Sequence, residues 1–385
     1  MTQQKHKILS LFANIGVAEA YLEELGYDVV VANELDPKRA ALYQKIYPKS
    51  NMICGDITED KVYQQIISLA QEKKVSLIMA TPPCQGMSTA GKQKKFDARN
   101  DLFRYALNAV NELKPEYVLF ENVTGFLKTQ VMYANEPMLI TDVVIKEIGD
   151  EYIVNFYSIN AQDYEVPQTR ERMIMLATRK KRDKKHPEWV MPKKCDKLVT
   201  MEDAIGWIPT IDPFVKDLSH EEFEKLFPKY EERKKAALKI SKWNFPTTHV
   251  YRNVLAMQHT PTGCTAFDNP IYKPTKRDGT LVRGFHNTYK RQNWNTPAYT
   301  IAMDNIEISS QNNVHPGRLV GKDENGDDIY SDARALTVFE LMRLMSIPDT
   351  WPIPDDTNPA FLRHMIGEGV PSLLIKKIFE NLKDE

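Results

Sequence analysis

Over its first 180 residues this 385-residue chain alternates short apolar runs with amphipathic stretches. That is the pattern of βαβ units, in which crossover helices join parallel strands and cover the sheet they form. Apolar runs at 8–12, 27–32, 52–54, 75–80 and 117–120 predict five strands, and runs at 152–159 and 173–177 predict a closing antiparallel pair. Helices are expected over 17–25, 61–71 and 101–113. Another opens at Pro37, which follows the capping residue Asp36 and presets φ for a first helical turn. The expected fold class is α/β. In open sheets of this class ligands bind beyond the carboxyl ends of the strands, so the residues just after each run carry the functional information.

The fourth run ends in Thr81-Pro82-Pro83-Cys84-Gln85-Gly86-Met87-Ser88. Two prolines fix φ and remove two backbone donors on the approach to the sulfur, and Gln85-Gly86 lets the chain turn away. A free cysteine is more often a small buried hydrophobe, and Pro-Pro-Cys alone would leave that reading ahead. The fifth run, however, closes on Phe120-Glu121-Asn122-Val123, and Gln168-Thr169-Arg170-Glu171-Arg172 leads into the run at 173–177. Taken singly, Glu121 reads as a capping or salt-bridging carboxylate and the arginines as a surface pair on an edge strand. Taken together, a cysteine, a carboxylate and paired arginines at strand ends can converge on one pocket, which favours a nucleophile at Cys84.

Composition narrows the alternatives. A formal net charge of −1 argues against a generic nucleic-acid coat. Local basic runs (Arg179-Lys180-Lys181-Arg182; Lys92, Lys94, Lys95 and Arg99) suit phosphate contact or, as readily, a solvated face. The four cysteines, Cys54, Cys84, Cys195 and Cys264, show no Cys-x-x-Cys spacing, so neither a disulfide scaffold nor a zinc site is indicated, and no metal is expected. Asp323-Glu324-Asn325-Gly326-Asp327-Asp328 is a turn rather than a calcium loop, because Arg334 occupies the twelfth position. There is no run of about eighteen apolar residues that would span a bilayer, and the polar start at 1–7 is no export signal. Beyond residue 180 the periodicity dissolves into a stretch rich in Pro, Lys, Thr, Asn and aromatics, until 361–382 turns amphipathic again.

The order of these motifs, with Leu11-Phe12-Ala13-Asn14-Ile15-Gly16 near the start, Arg334-Ala335-Leu336-Thr337 leading to Glu340, and His364-Met365-Ile366-Gly367-Glu368-Gly369-Val370-Pro371 near the end, resembles the cytosine-C5 DNA methyltransferases over nearly the whole chain. Asn14 and Val17 stand where that family usually carries glycines, and Glu368 where it usually carries asparagine. The resemblance implies a Rossmann-like sheet that binds S-adenosylmethionine, formed by 1–180 plus 359–385. It also implies a smaller, mostly irregular/β target-recognition domain over 181–358. The implied catalytic residues are Cys84, Glu121, Arg170 and Arg172. Phe12, Ala13, Asn14, Ile15 and Gly16 would form the cofactor turn. Glu34 would hold the ribose beside Leu35, Asp56 the adenine amine and Ile57 its face, and Pro83, Leu102, Glu368, Gly369 and Val370 would complete the pocket. Gln85, Gly86, Ser88, Asn122 and Gln168 would contact the substrate.

The chemistry suits these residue types. Carbon 5 of cytosine becomes nucleophilic only after addition at carbon 6, which a thiolate can perform if a positive surround activates it. A desolvated Glu121 could present a proton to N3 and accept from the exocyclic amine; the resemblance implies that Arg172 meets O2 and that Arg170 helps hold the catalytic loop and backbone. The base must be rotated out of the duplex, and the 86–100 segment resembles the family's mobile loop. Recognition would draw on Arg252, Arg277, Arg283, Lys290, Arg291, Asn287, Gln292, Asn293, Asn312 and Asn313. The expected partners are double-stranded DNA and a separately acting restriction endonuclease, with no membrane, for a monomer in the bacterial cytoplasm. Two alternatives stand beside this reading: an RNA (tRNA) cytosine-5 methyltransferase, and a decayed DNA-binding module.

Overall fold

The computed structural model describes residues 6–83, 101–180 and 187–382. Among these, β1 (Lys7–Leu11), β2 (Asp28–Glu34), β3 (Asn51–Cys54), β4 (Leu77–Ala80) and β5 (Tyr117–Asn122) pair in parallel. A small hairpin, β6 (Gln130–Tyr133) and β7 (Glu136–Leu139), follows them. The long strands β8 (Tyr152–Asn160) and β9 (Glu171–Arg179) then close the main sheet antiparallel, in the order β3-β2-β1-β4-β5-β9-β8. The chain runs outward from β1 to β3 and then returns to lay β4 on the other side of β1. That reversal opens a crevice beyond the carboxyl ends of β1 and β4, the place where such sheets bind ligands.

Both faces are covered, which is why β4 and β5 are buried at every residue instead of alternating. Helices α1 (Pro37–Ile46), α2 (Asp60–Lys73), α3 (Phe103–Leu113) and α4 (Ile140–Ile148) follow the first strands, and α2, α3 and α4 pack over Leu9, Leu11, Ile78, Val118 and Phe120. Asp36 caps α1, accepting from the backbone N–H of Lys38 at 2.8 Å and of Arg39 at 3.0 Å. The opposite face, Ile8, Met79, Leu119 and Leu176, packs against Trp189 and a C-terminal helix.

The helix expected over 17–25 is absent; only a 3₁₀ turn, Val17–Glu19, and further turns form. Gly16 sits at φ +81°, and the Tyr47 and Tyr43 rings fill the space where a Cβ would lie. Glu19 points inward to accept from the Tyr43 hydroxyl. A buried carboxyl on that side interrupts the apolar pattern that suggested a helix.

Residues 187–358 are mostly irregular, with more helix than strand: α5 (Met201–Ile205), α6 (His220–Leu226), α7 (Tyr230–Ile240), α8 (Tyr251–Gln258) and α9 (Val338–Leu344) against the short pairs β10 (Phe214–Val215) with β11 (Thr248–His249) and β12 (Leu319–Lys322) with β13 (Asp328–Tyr330). The segment read as a plain turn links β12 to β13, with Asp323 accepting from the N–H of Asn325 and Asp327. Helices α10 (Pro359–Glu368) and α11 (Ser372–Glu380) bring the chain back to the sheet, where the Tyr27 hydroxyl donates to the Phe379 carbonyl. Leu336, Phe339, Met342 and Trp351 already share a core with Ile15, Val17, Leu42 and Ile46, so packing rejoins the first unit ahead of residue 359. Among the described residues no helix is long and apolar enough to cross a membrane.

Candidate active site

The exits of β1, β4 and β5 are stitched together. Thr81 donates through its backbone to Leu11 O at 3.2 Å and through Oγ1 to Phe12 O at 3.0 Å. On the other side, Asn122 Nδ2 donates to Pro82 O at 3.0 Å, while its Oδ1 accepts from Val123 N. Asn122, expected at the substrate, is instead a buried anchor for the Pro-Pro step. Pro83 is the last described residue of this strand exit, half-buried beside the crevice. Cys84, Gln85, Gly86 and Ser88, with the loop to residue 100, lie outside the described residues, as do Lys181 and Arg182 of the basic run.

Glu121 and Arg172 meet across the sheet. Arg172 Nε lies 2.8 Å from Glu121 Oε1, with both side chains largely buried. Burial pushes the Glu121 carboxyl above its ordinary range, and the nearby Arg172 and Arg170 charges only partly oppose it. A carboxyl whose pKa burial raises takes up a proton more readily than an exposed one, and such a group beside a guanidinium suits a base whose ring is gaining electrons.

The other two residues of the Gln-x-Arg-x-Arg motif turn inward. Arg170 Nη1 donates to Ile301 O at 2.9 Å and to Gln168 Oε1, and its Nη2 donates to Gly367 O at 3.0 Å and Gly369 O at 2.9 Å. Gln168 has no exposed surface; its Nε2 donates to Leu344 O and its Oε1 accepts from Ile301 N. The reason is local. Gln168 bridges to Ala298 while Thr169 N bonds Ala298 O, so the segment before β9 joins the second unit and only Arg172, on the strand itself, reaches the crevice. Gln168 is thus buried in that joint, and Arg170 holds the turn at 367–369.

The other wall of the crevice starts from three left-handed residues, Phe12 (φ 60°), Asn14 (φ 51°) and Gly16 (φ 81°). Asparagine tolerates this region better than other side chains, so it can replace glycine at 14 at small conformational cost. Val17, outside that region, packs within 2.9 Å of where a Cβ on Gly369 would lie, and the space left by the glycine takes the valine. Glu34 accepts from Asn14 N at 2.9 Å and Asp36 N at 3.0 Å. Leu35 beside it is 62 % exposed. Asp56 is half-buried at the end of β3 and accepts from Thr58 N. Ile15 is wholly buried and Ile57 nearly so, hence Ile15 offers a ligand only its backbone. Ala13 and Val370 are buried and Leu102 half-buried. An exposed apolar side chain between two carboxylates at adjacent strand ends fits the donors of an adenosine, with hydroxyls and an exocyclic amine around a flat base.

Sequence reasoning missed Thr81, Asn33 and Arg39. Asn33 Nδ2 ties β2 to the Ile53 and Gly55 carbonyls. Arg39 pairs with Glu368 at 2.8 Å, a contact across the chain that no local pattern announces. Of the proposed DNA contacts, Arg291, Gln292 and Asn313 are buried and bonded internally, whereas Arg277 and Arg283 are exposed.

The family model for C-5 cytosine-specific DNA methylases matches residues 6–384. The Type II methyltransferase M1.HgaI of Avibacterium volantium is 40% identical over 382 residues, covering 98% of each protein. M.XorII of Xanthomonas oryzae is 28% identical over 380 residues, 96% of this chain and 82% of that protein. Among solved structures, a prophage-encoded methyltransferase from Escherichia coli superposes with a TM-score of 0.63 at 20% identity, over 98% of both chains. A mutant of Spodoptera frugiperda DNMT2 gives 0.57 at 16%, over 98% and 99%.

Proposed function

Because the chain belongs to the C-5 cytosine-specific DNA methylase family, we propose that Cys84 adds to carbon 6 of a cytosine rotated out of duplex DNA while Glu121 and Arg172 meet the charge this creates. The observation that carries the reading is the buried Glu121–Arg172 pair, next to the strand exit that Asn122 and Thr81 pin in place. Addition of the thiolate forms the sulfur–carbon bond and pushes electrons toward N3 and O2; Glu121 delivers its proton to N3 and Arg172 donates to O2. S-adenosylmethionine, when bound, supplies a methyl group electrophilic enough for carbon 5 to take. Loss of the proton from carbon 5, to a water or hydroxide chain, expels the sulfur and restores the aromatic ring.

Glu34, Leu35, Asp56 and the 12–16 turn would hold the adenosine of that donor, and Glu368, Gly369 and Val370 its other end. Arg170 is a positioning residue, since it grips the carbonyls on either side of Glu368. We keep the division into a catalytic unit (1–180 plus 359–385) and a recognition unit (181–358), with 336–353 packed into the core of the first. Exposed Arg277 and Arg283 would face DNA. The likeness to Type II methyltransferases supports a place in a restriction-modification system, and with it we propose a monomer in the bacterial cytoplasm beside a separately acting endonuclease. Transfer of labelled methyl to duplex DNA tests the reading: wild type labels it and Cys84→Ser does not. Labelling of tRNA in preference to duplex would replace it by the RNA reading.

A further inference from the structure

The three positions at which the chain departs from its family's habit are neighbours in space. Asn14 Nδ2 lies 3.4 Å from Glu368 Oε2, and Val17 abuts Gly369. Glu368 is the last residue of α10, and Arg39, in the first turn of α1, reaches across to it with Nη1 at 2.8 Å from Oε2 and Nη2 at 3.4 Å from Oε1. Arg170 fixes the backbone on both sides of Glu368, so the carboxylate has little freedom to leave. Arg39 and Glu368 keep 26% and 20% of their side-chain surface open. After their mutual contact the guanidinium retains N–H donors, whereas the carboxylate also faces Asn14 Nδ2 and His364 Nε2, one of which an incoming ammonium would displace. A neutral asparagine at 368 would offer Arg39 a hydrogen-bond acceptor but no opposite charge.

We propose that Arg39 and Glu368 form a charge-matched receptor for the zwitterionic amino-acid end of the methyl donor, Glu368 accepting from its ammonium and Arg39 donating to its carboxylate. This rests on the reading of the crevice as a methyl-donor site. Glutamate at 368 is then no sign of decay, because the acid and the arginine arrive as a set, with Asn14 linking them to the first turn. His364 Nε2, 3.3 Å from Glu368 Oε1, packs on the outer side of the same carboxylate.

Calorimetric titration with two probes separates the outcomes: S-adenosylhomocysteine, which carries the amino-acid end, and 5′-methylthioadenosine, which lacks it. Arg39→Gln and Glu368→Gln should each weaken S-adenosylhomocysteine about ten-fold, the change expected for one lost charge-assisted contact, and leave 5′-methylthioadenosine within about two-fold. Parallel assays should show the donor KM rising with kcat little changed. The double variant Arg39→Gln/Glu368→Asn should bind S-adenosylhomocysteine no better than the weaker single variant. Equal loss of both probes, or loss of neither, overturns the receptor. Recovery of affinity in the double variant overturns it too, since Arg39 would then serve only to neutralise Glu368. Failure of the wild type to bind either probe would instead bring down the methyl-donor reading itself.

Discussion

The sheet and the irregular unit solve the same problem, satisfying backbone polar groups away from water, by different means. In the sheet, ladder bonds along β1 to β5 and the β8–β9 pair do it. In the irregular unit, buried guanidiniums take that part. Arg291 donates to the carbonyls of Met257, His315, Ser331 and Asp332. Arg334 donates to the Ile211 and Ala335 carbonyls and to the Asp332 and Glu340 carboxylates. A strand end can thus release its side chains to a ligand, because its backbone is already paired, whereas much of the polar inventory of the irregular unit is consumed in holding it together.

Removing a framework arginine tests this contrast most severely. Arg334→Met should cost about 3–5 kcal/mol in denaturant unfolding, because Asp332 and Glu340 would be left as buried carboxylates without their partner. If Arg334→Met unfolds like the wild type, the guanidinium framework is not what holds the unit. Glu121→Gln, at the carboxyl end of β5, should show the reverse profile: kcat down by about 10²–10³-fold with stability little altered. Loss of stability without loss of turnover would make Glu121 a framework residue too.

Glu19 lies just after the 12–16 turn and its burial is testable. Burial pushes Glu19 up to about 7 from 4.5, against the Ser10 and Tyr43 hydrogen bonds that lower it. A raised carboxyl pKa favours the folded state fully below the unfolded value, and that stability is lost as pH rises through the folded one. Between about pH 4.5 and about pH 7 the wild type should lose up to about 3 kcal/mol relative to Glu19→Gln. Parallel melting curves of the two proteins across that window would show the group to be solvated instead. The smallest effect belongs to the exposed arginines. Arg277→Ala or Arg283→Ala should leave stability within about 0.5 kcal/mol and reduce the salt slope of DNA binding by about one if the residue touches a phosphate.

The same contrast explains what could be read from the sequence. Strands with two covered faces announce themselves as apolar runs, and Cys84 beyond the fourth run, Glu121 near the end of β5 and Arg172 at the start of β9 follow from knowing where such runs begin and end. Arg172 and Glu121 do meet. Residue type could not separate Arg172, open to the crevice, from Arg170, two positions earlier and buried in the joint, because their difference lies in the bridge from Gln168 to Ala298. Likewise Arg291, Gln292 and Asn313 have the side chains of base readers and the burial of struts. The missing helix at 17–25 turned on Glu19, whose inward carboxylate only the tyrosines of α1 explain.

The central claim is that one sulfur at the exit of β4 bonds covalently to a cytosine ring while the Glu121–Arg172 pair receives the displaced charge. Incubating the protein with methyl donor and duplex DNA carrying 5-fluorocytosine, whose fluorine cannot leave as a proton does, should trap that bond, and peptide mapping should place it on Cys84. Methylation of ordinary cytosine by the same preparation, with no fluorocytosine adduct at Cys84, would contradict the account.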